Sequence, residues 1–185
     1  MKYRLDRIYT RRGDAGSTSI SDGSMLSKDS TRITALGMVD ELNCVIGLLV
    51  SNLDVEDELI PILRDLQNRL FDVGGEVATP QMQLVLAEDT EKLESYCDLL
   101  NEKLPPLKEF ILPGGSVSAS HAHHARSVCR RAERSLVSLS KESSVRRDLL
   151  KYINRLSDLL FIIARVLARK NNSYEVLWEG RHKNT

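Results

Sequence analysis

At 185 residues, with Lys+Arg and Asp+Glu balanced at 26 each, the chain is long enough for a sizeable core and carries no global basic field to attract nucleic acid. Hydrophobic content of 42% and charged content of 28% are those of a folded globular chain, and aromatics at 5% are too sparse for a base-stacking surface. The three cysteines, Cys44, Cys97 and Cys129, are widely separated and lack any CxxC or Cys/His metal spacing, so they are expected to be reduced and mostly buried, in cytoplasm or another reducing space. The start, MKYRLDRIYTRRGD, has no apolar segment of the signal-peptide kind, and no continuous apolar run of about 18 residues predicts a membrane span.

Residues 1–31, rich in Gly, Ser, Asp and basic side chains, read as an ordered loop or arm. Within it TRRGDAGST combines Gly13 and Gly16, which permit turns that aim amide N–H groups inward, with the hydroxyls of Thr10, Ser17 and Thr18. Lys28 and Arg32 follow within reach, so the segment is a candidate anion nest, although no Walker A motif is present. From about Thr34 to Leu53 the seam Ala35, Val39, Leu42, Ile46, Leu49 predicts a helix. On it Asp40 and Asn43 share a side, and Asp40 is a candidate partner for an arginine, with Arg126 the proposed one.

A second helix is expected after Asp54 as cap, with Ile60, Leu63, Leu66, Leu70 and Val73 facing the core. Pro61 belongs in its first turn or kinks it, and Gly74-Gly75 and Thr79-Pro80 end it. A third runs from about Glu88 to Lys103 on Leu93, Tyr96, Leu99 and Leu100, stopped by Pro105-Pro106. FILPGG, from Phe110, reads as an extended run halted by a turn.

The fourth helix, opened by Ser116, Ser118 or Ser120 and closing near Ser140, has two distinct faces. Ala122, Ala125, Cys129, Ala132, Leu136 and Leu139 form an apolar stripe, while Arg126, Arg130, Glu133 and Arg134 align on another. Guanidinium forks one turn apart suit a polyanion such as a triphosphate. His121 and His124 are one turn apart near its start, without an obvious third metal ligand. The fifth helix, from after Ser143-Ser144 to about Lys170, uses Leu149, Ile153, Leu156, Leu160, Ile163 and Leu167 as its seam and ends at Asn171-Asn172. Its polar side carries Asn154, able to donate and accept, and Asp158, able to hold a cation or orient an arginine, with Phe161 and Arg165 continuing. The tail is expected to add a short extended piece.

These readings give an all-α chain: a five-helix antiparallel bundle behind an ordered N-terminal loop, in a single domain spanning residues 1–185, with polar second faces that point to a homo-oligomer. No Ser-His-Asp order, reactive cysteine or carboxylate dyad stands out, so the chain is built to position and neutralise, and a bound partner molecule supplies the nucleophile.

Taken together, TRRGDAGST, SKDSTRITALGMVDELN, FILPGG, ARSVCRRAER, YINRLSDLLFIIAR and the closing EVLW closely resemble the PduO-type ATP:cob(I)alamin adenosyltransferases over nearly the whole chain. The resemblance implies a homotrimer with active sites between subunits, where cobalt(I) of the corrinoid attacks the 5′-carbon of ATP and releases triphosphate, with magnesium accompanying ATP. It implies an ATP-binding loop over residues 1–31, a bundle over 32–171 and a tail over 172–185. It implies ATP-binding roles for Thr10, Arg11, Gly13, Asp14, Gly16, Ser17, Thr18 and Lys28, and assigns Arg130 to the triphosphate. Glu133 and Asn154 fall near the nucleotide, with Glu133 as the magnesium ligand. Asp40 and Arg126 match an intersubunit salt bridge, and Phe110 matches the apolar residue that crowds out the lower ligand of cobalt. It further implies an electron-donating reductase and an adenosylcobalamin-dependent enzyme as partners. The sequence departs from the family pattern at Ala15, where GDKG is usual, and at Ala122 and His124 flanking His123. A cobalamin carrier or escort with little catalytic power is the alternative reading, since Ala15 removes a charge near phosphate.

Overall fold

The computed structural model of the chain describes residues 9–170 and 174–180. The Asn171-Asn172 helix stop, the first eight residues of the loop and the last five of the tail lie outside them. Five helices follow a short hairpin: β1 (Ser17–Ser19), β2 (Met25–Ser27), α1 (Thr31–Ser51), α2 (Leu59–Ala78), α3 (Ala87–Asn101), α4 (Val117–Leu139) and α5 (Arg147–Ala168).

Every seam position expected for α1, α2 and α5 is buried, and so is the whole apolar stripe of α4. The stripe's four small residues (Ala122, Ala125, Cys129, Ala132) keep α4 slim enough to lie between α1 and α5. α2 flanks α1, and α3 flanks α5. Ties at the helix ends set directions. Thr31 at the start of α1 donates to Glu142 just beyond α4, and Ser116 before α4 donates to the carbonyl of Leu167 near the end of α5. Consecutive helices therefore alternate, as expected of an antiparallel bundle. α3 and α5 run side by side in the same direction, since Arg146 before α5 reaches Val85 before α3, and Arg165 near its end reaches Pro105 beyond α3.

Local expectations were corrected at several points. The arm contains an antiparallel hairpin pairing Ser17 with Ser27 and Ser19 with Met25, turned at Asp22-Gly23, where Gly23 has φ 84°. α1 begins three residues earlier than the periodicity suggests. Asp54 does not cap α2. The chain turns first, and the Asp57 carboxylate accepts from the Leu59 amide at 3.0 Å, leaving Pro61 within the first turn, where its missing N–H costs no helical bond. Leu99 is exposed, because α3 buries only Leu93 and Leu100 fully. Cys129 is buried, while Cys97 is half-buried and Cys44 exposed, so the expectation of mostly buried thiols fails at α1's outer face. Burial raises the Cys97 thiol to about 11. By length and composition alone α1 could cross a membrane; its buried side instead packs on α2 and α4, and it carries Arg32, Asp40 and Glu41.

Of the three candidate serines, Ser116 caps α4, accepting from the Ala119 amide at 3.1 Å. The preceding Gly115 has φ 101°, and a Cβ there would meet Ala168 at 3.0 Å, so the turn into α4 requires glycine. The tail does add an extended piece: Ile111 bridges Leu177, the Leu112 amide donates to Val176 at 2.8 Å and the Trp178 amide to Phe110 at 2.7 Å.

Candidate active site

The face of α4 that turns toward α5 gathers most of the candidate site residues. Near its start lies an open cavity of about 480 Å³ walled by Leu107, Phe110, Ile111, His123, Arg126 and Phe161. Phe110 is 77% exposed, held on its short strand by the tail and edge-on to Trp178 at 6.3 Å. The Arg126 guanidinium lies over the Phe161 ring at 6.0 Å. Its Nε is sealed from solvent and has no partner among the described residues. Burial, then the nearby Arg130, make its charge costly and lower its proton affinity. His123 is 4% exposed, its ring edge-on to Phe161 at 6.1 Å, and its Nδ1 is likewise sealed and unpartnered. Burial first, and Arg126 second, lower its pKa, so the ring is neutral near pH 7.

One and two turns further along α4, the face becomes polar. Arg130 is exposed and has no ion-pair partner among the described residues. Asn154 of α5 donates to Glu133 at 2.9 Å, bringing together two residues that the sequence reading placed near a nucleotide. The second Glu133 oxygen carries no hydrogen bond among the described residues. Asp158 orients an arginine as foreseen, binding Arg155 at 2.8 Å. Arg165 is turned away from this face and buried against Glu175 and Pro105.

The N-terminal loop stands apart. Gly13, Asp14 and Gly16 form tight turns, Arg11 sits in the left-handed region at φ 61°, and Gly16 has φ 87°. Lys28 comes back onto this loop: its amide donates to Gly16 at 2.9 Å, and its Nζ would lie 3.0 Å from a Cβ placed on Gly13. Thr10, Arg11, Asp14 and Gly16 are exposed, and Ser17 and Thr18 are held in β1. Arg32, expected beside this loop, instead braces the ends of α2 and α4 by bonding Val77 and Ser143. The loop adjoins the start of α1, which lies against the end of α4. Arg126 is 13 residues before that end, a separation of ~20 Å along the helix. No described residue of the loop lines the cavity of its own chain.

Asp40 and Arg126 do not pair within the chain. Asp40 is exposed on α1, in line with Gly37, Cys44 and Leu48, whereas Arg126 faces α5. The neighbouring carboxylate, Glu41, takes Arg131 at 2.5 Å. Sequence reasoning missed the tail's part in this site: Glu175, buried against Arg165 and Arg169, fixes the strand that carries Phe110's backbone partner. The EVLW run with its single tryptophan was the available signal.

An exposed arginine and a hydrogen-bonded carboxylate running on from an open cavity define the class: a helical-bundle protein whose α4–α5 face joins a partly apolar cavity to a polar strip. Residues 8–167 match the family model described as cobalamin adenosyltransferase. The chain is 48% identical over 179 residues to a cobalamin adenosyltransferase of Cupriavidus metallidurans, covering 97% of each, and 41% identical to a corrinoid adenosyltransferase of Mycobacterium tuberculosis, covering 96% of this chain and 95% of that one. Its fold is similar to a PduO-type ATP:corrinoid adenosyltransferase from Lactobacillus reuteri, solved as a phenylalanine-to-alanine variant complexed with cobalamin and ATP (TM-score 0.87, 36% identity, 94% of this chain and 100% of that one). An arginine-to-lysine variant of that enzyme complexed with ATP matches equally well, at TM-score 0.87 and 38% identity over 93% of this chain and 100% of that one. The chain belongs to the cobalamin adenosyltransferase family, and its activity is ATP-dependent adenosyl transfer to a corrinoid.

Proposed function

We propose that adenosyl transfer takes place on the α4–α5 face, with the corrinoid in the cavity beside Phe110 and the ATP triphosphate along Arg130, Glu133 and Asn154. The observation that carries this reading is the continuity of the two halves: the apolar cavity ends at Arg126, and the polar face begins one turn later at Arg130. The cobalt(I) electron pair forms the Co–C bond to the 5′-carbon of the ribose, the C–O bond to the triphosphate breaks, and the triphosphate leaves with the electrons of the C–O bond. The protein supplies proximity and charge neutralisation. Arg130 is the group placed to neutralise the departing anion. Phe110, exposed on a strand pinned by the tail, offers cobalt a face without a lone pair, so the lower axial position stays empty.

Magnesium fits as a companion of ATP. Glu133 has one carboxylate oxygen without a hydrogen bond, and among the described residues no group of three or more His, Cys, Asp or Glu gathers to hold a metal. The ion would take most of its ligands from the triphosphate, with Glu133 adding one, and would neutralise phosphate charge.

The loop completes the site from a neighbouring copy, giving a homotrimer. Support comes from the ~20 Å between the loop's anchorage and its own cavity, from the bare stripe Gly37, Asp40, Cys44, Leu48, and from the orphan Arg126, which Asp40 of the next copy would satisfy. Thr10, Arg11, Gly13, Asp14, Gly16, Ser17, Thr18 and Lys28 then hold ATP. Lys28 folded onto Gly13 returns an ammonium to a loop that lacks one at Ala15, which favours an enzyme over a carrier. Residues 1–185 act as one domain, in the cytoplasm, served by a reductase and serving an adenosylcobalamin-dependent enzyme. Purified protein incubated with ATP, magnesium and chemically reduced cobalamin is expected to form the cobalt–carbon product, followed by absorbance. Tight cobalamin binding without product would establish the carrier instead.

A further inference from the structure

His123 is the one buried histidine among the described residues, and the proposed transfer step does not use it. Its ring lines the cavity yet forms no side-chain hydrogen bond among the described residues. Its backbone carbonyl accepts from the Ser127 hydroxyl at 3.1 Å. The two ring nitrogens differ. Nδ1 is sealed without a partner; Nε2 is not among the sealed atoms, so the ring meets the cavity through its Nε2 edge. A buried N–H without an acceptor is rarer and costlier than a buried lone pair without a donor, so the proton belongs on Nε2 and the lone pair on sealed Nδ1. The edge facing the cavity is thus a donor, set in a wall that the apolar Leu107, Phe110, Ile111 and Phe161 share with Lys108, Glu109 and Arg126, none of which bonds the ring.

A donor in such a wall is unmet until a ligand brings an acceptor. Cobalamin is a macrocycle rimmed with acetamide and propionamide side chains, and their carbonyl oxygens are neutral acceptors at the ring's edge. We propose that His123 is a corrinoid-recognition residue, donating from Nε2 to a carbonyl oxygen of one peripheral carboxamide of the bound corrinoid. The inference rests on the placement of the corrinoid in the Phe110 cavity. It also explains how an imidazole can line a site for four-coordinate cobalt without binding the metal: the nitrogen that could coordinate is turned into the core. The group is specificity-determining and takes no part in the bond that forms.

The test compares His123→Leu, which removes the donor, with His123→Gln, whose amide N–H reaches a similar place. The expected result is a KM for cobalamin raised about tenfold in the leucine variant, an unchanged KM for ATP, and recovery of most of the loss by glutamine. A leucine variant within about twofold of wild type, or a glutamine variant no better than leucine, overturns the proposal. Histidine ¹⁵N NMR of the unsubstituted protein reads the tautomer without any variant. Protonation at Nε2, with that resonance moving on addition of cobalamin, is expected, and protonation at Nδ1 overturns the proposal. Phe110→Ala run alongside separates the two levels: if only the His123 assignment fails, Phe110→Ala still alters cobalt coordination, and if the cavity is not the corrinoid site, neither substitution affects the corrinoid.

Discussion

Two partly buried polar clusters lie at opposite ends of the bundle, and they differ in one respect. Around Glu76, every group is answered: its carboxylate accepts from the Leu84 and Val85 amides at 3.0 Å and from Arg146, which also bonds the Val85 carbonyl and Asp148. Around Arg126 and His123, two sealed nitrogens have no partner among the described residues, and Arg130 beyond them has no carboxylate among those residues. A fold can bury charge at either place, but only the first is complete in the single chain. On the proposed reading, the unanswered groups at the cavity are where ligands and a second copy supply the missing partners, and the answered ones are where the chain holds itself together.

Four substitutions test that contrast. Arg130→Ala should lower turnover by about 10²–10³-fold with little change in thermal stability, measured by steady-state adenosylation. Unchanged turnover would remove Arg130 from the site. Glu76→Ala should do the reverse, costing about 3 kcal/mol in urea denaturation because Arg146 and two amides lose their acceptor, while both KM values stay put. Phe110→Ala should leave ATP binding intact and reduce the four-coordinate cobalt(II) signal roughly tenfold by spectroscopy, since a smaller side chain admits a lower ligand. The smallest effect concerns Glu175. Burial alone would raise its carboxyl, but hydrogen bonds from Arg165 and Arg169 outweigh burial and hold it below the usual 4.5. A depressed carboxylate stabilises the fold above the unfolded pKa and loses that contribution as pH falls through the folded value. Glu175→Gln should therefore flatten the acid side of the stability profile below about pH 4.5, and an unaltered acid limb would show the pair to be idle.

Much of the bundle was legible because periodicity reports burial directly: the seams of α1, α2 and α5 and the small-residue stripe of α4 are core. Boundaries were less so. Asp54 has cap chemistry, but a turn intervenes before the helix, and Asp57 does the work. The hairpin escaped notice because strands of three residues are too short to show alternation, although Asp22-Gly23 marked its turn. In the site, spacing put Glu133 on the arginine face of α4 and Asn154 on the polar side of α5, but only the family resemblance put the two together. Arg32 was not legible, because a long flexible side chain chooses among acceptors that only the fold brings near. The tail's partnership with Phe110 was equally hidden, as no local pattern announces a pairing between distant segments.

That pairing has a consequence for how the protein matures. Among the described residues, the strand bearing Phe110 gains its backbone partners from the tail at Val176, Leu177 and Trp178, which emerge from the ribosome after all five helices. The bundle can therefore collapse before the proposed corrinoid chamber has a finished wall. A frameshift or stop just past α5 would leave a soluble, helical product whose defect shows in cobalt chemistry and not in circular dichroism.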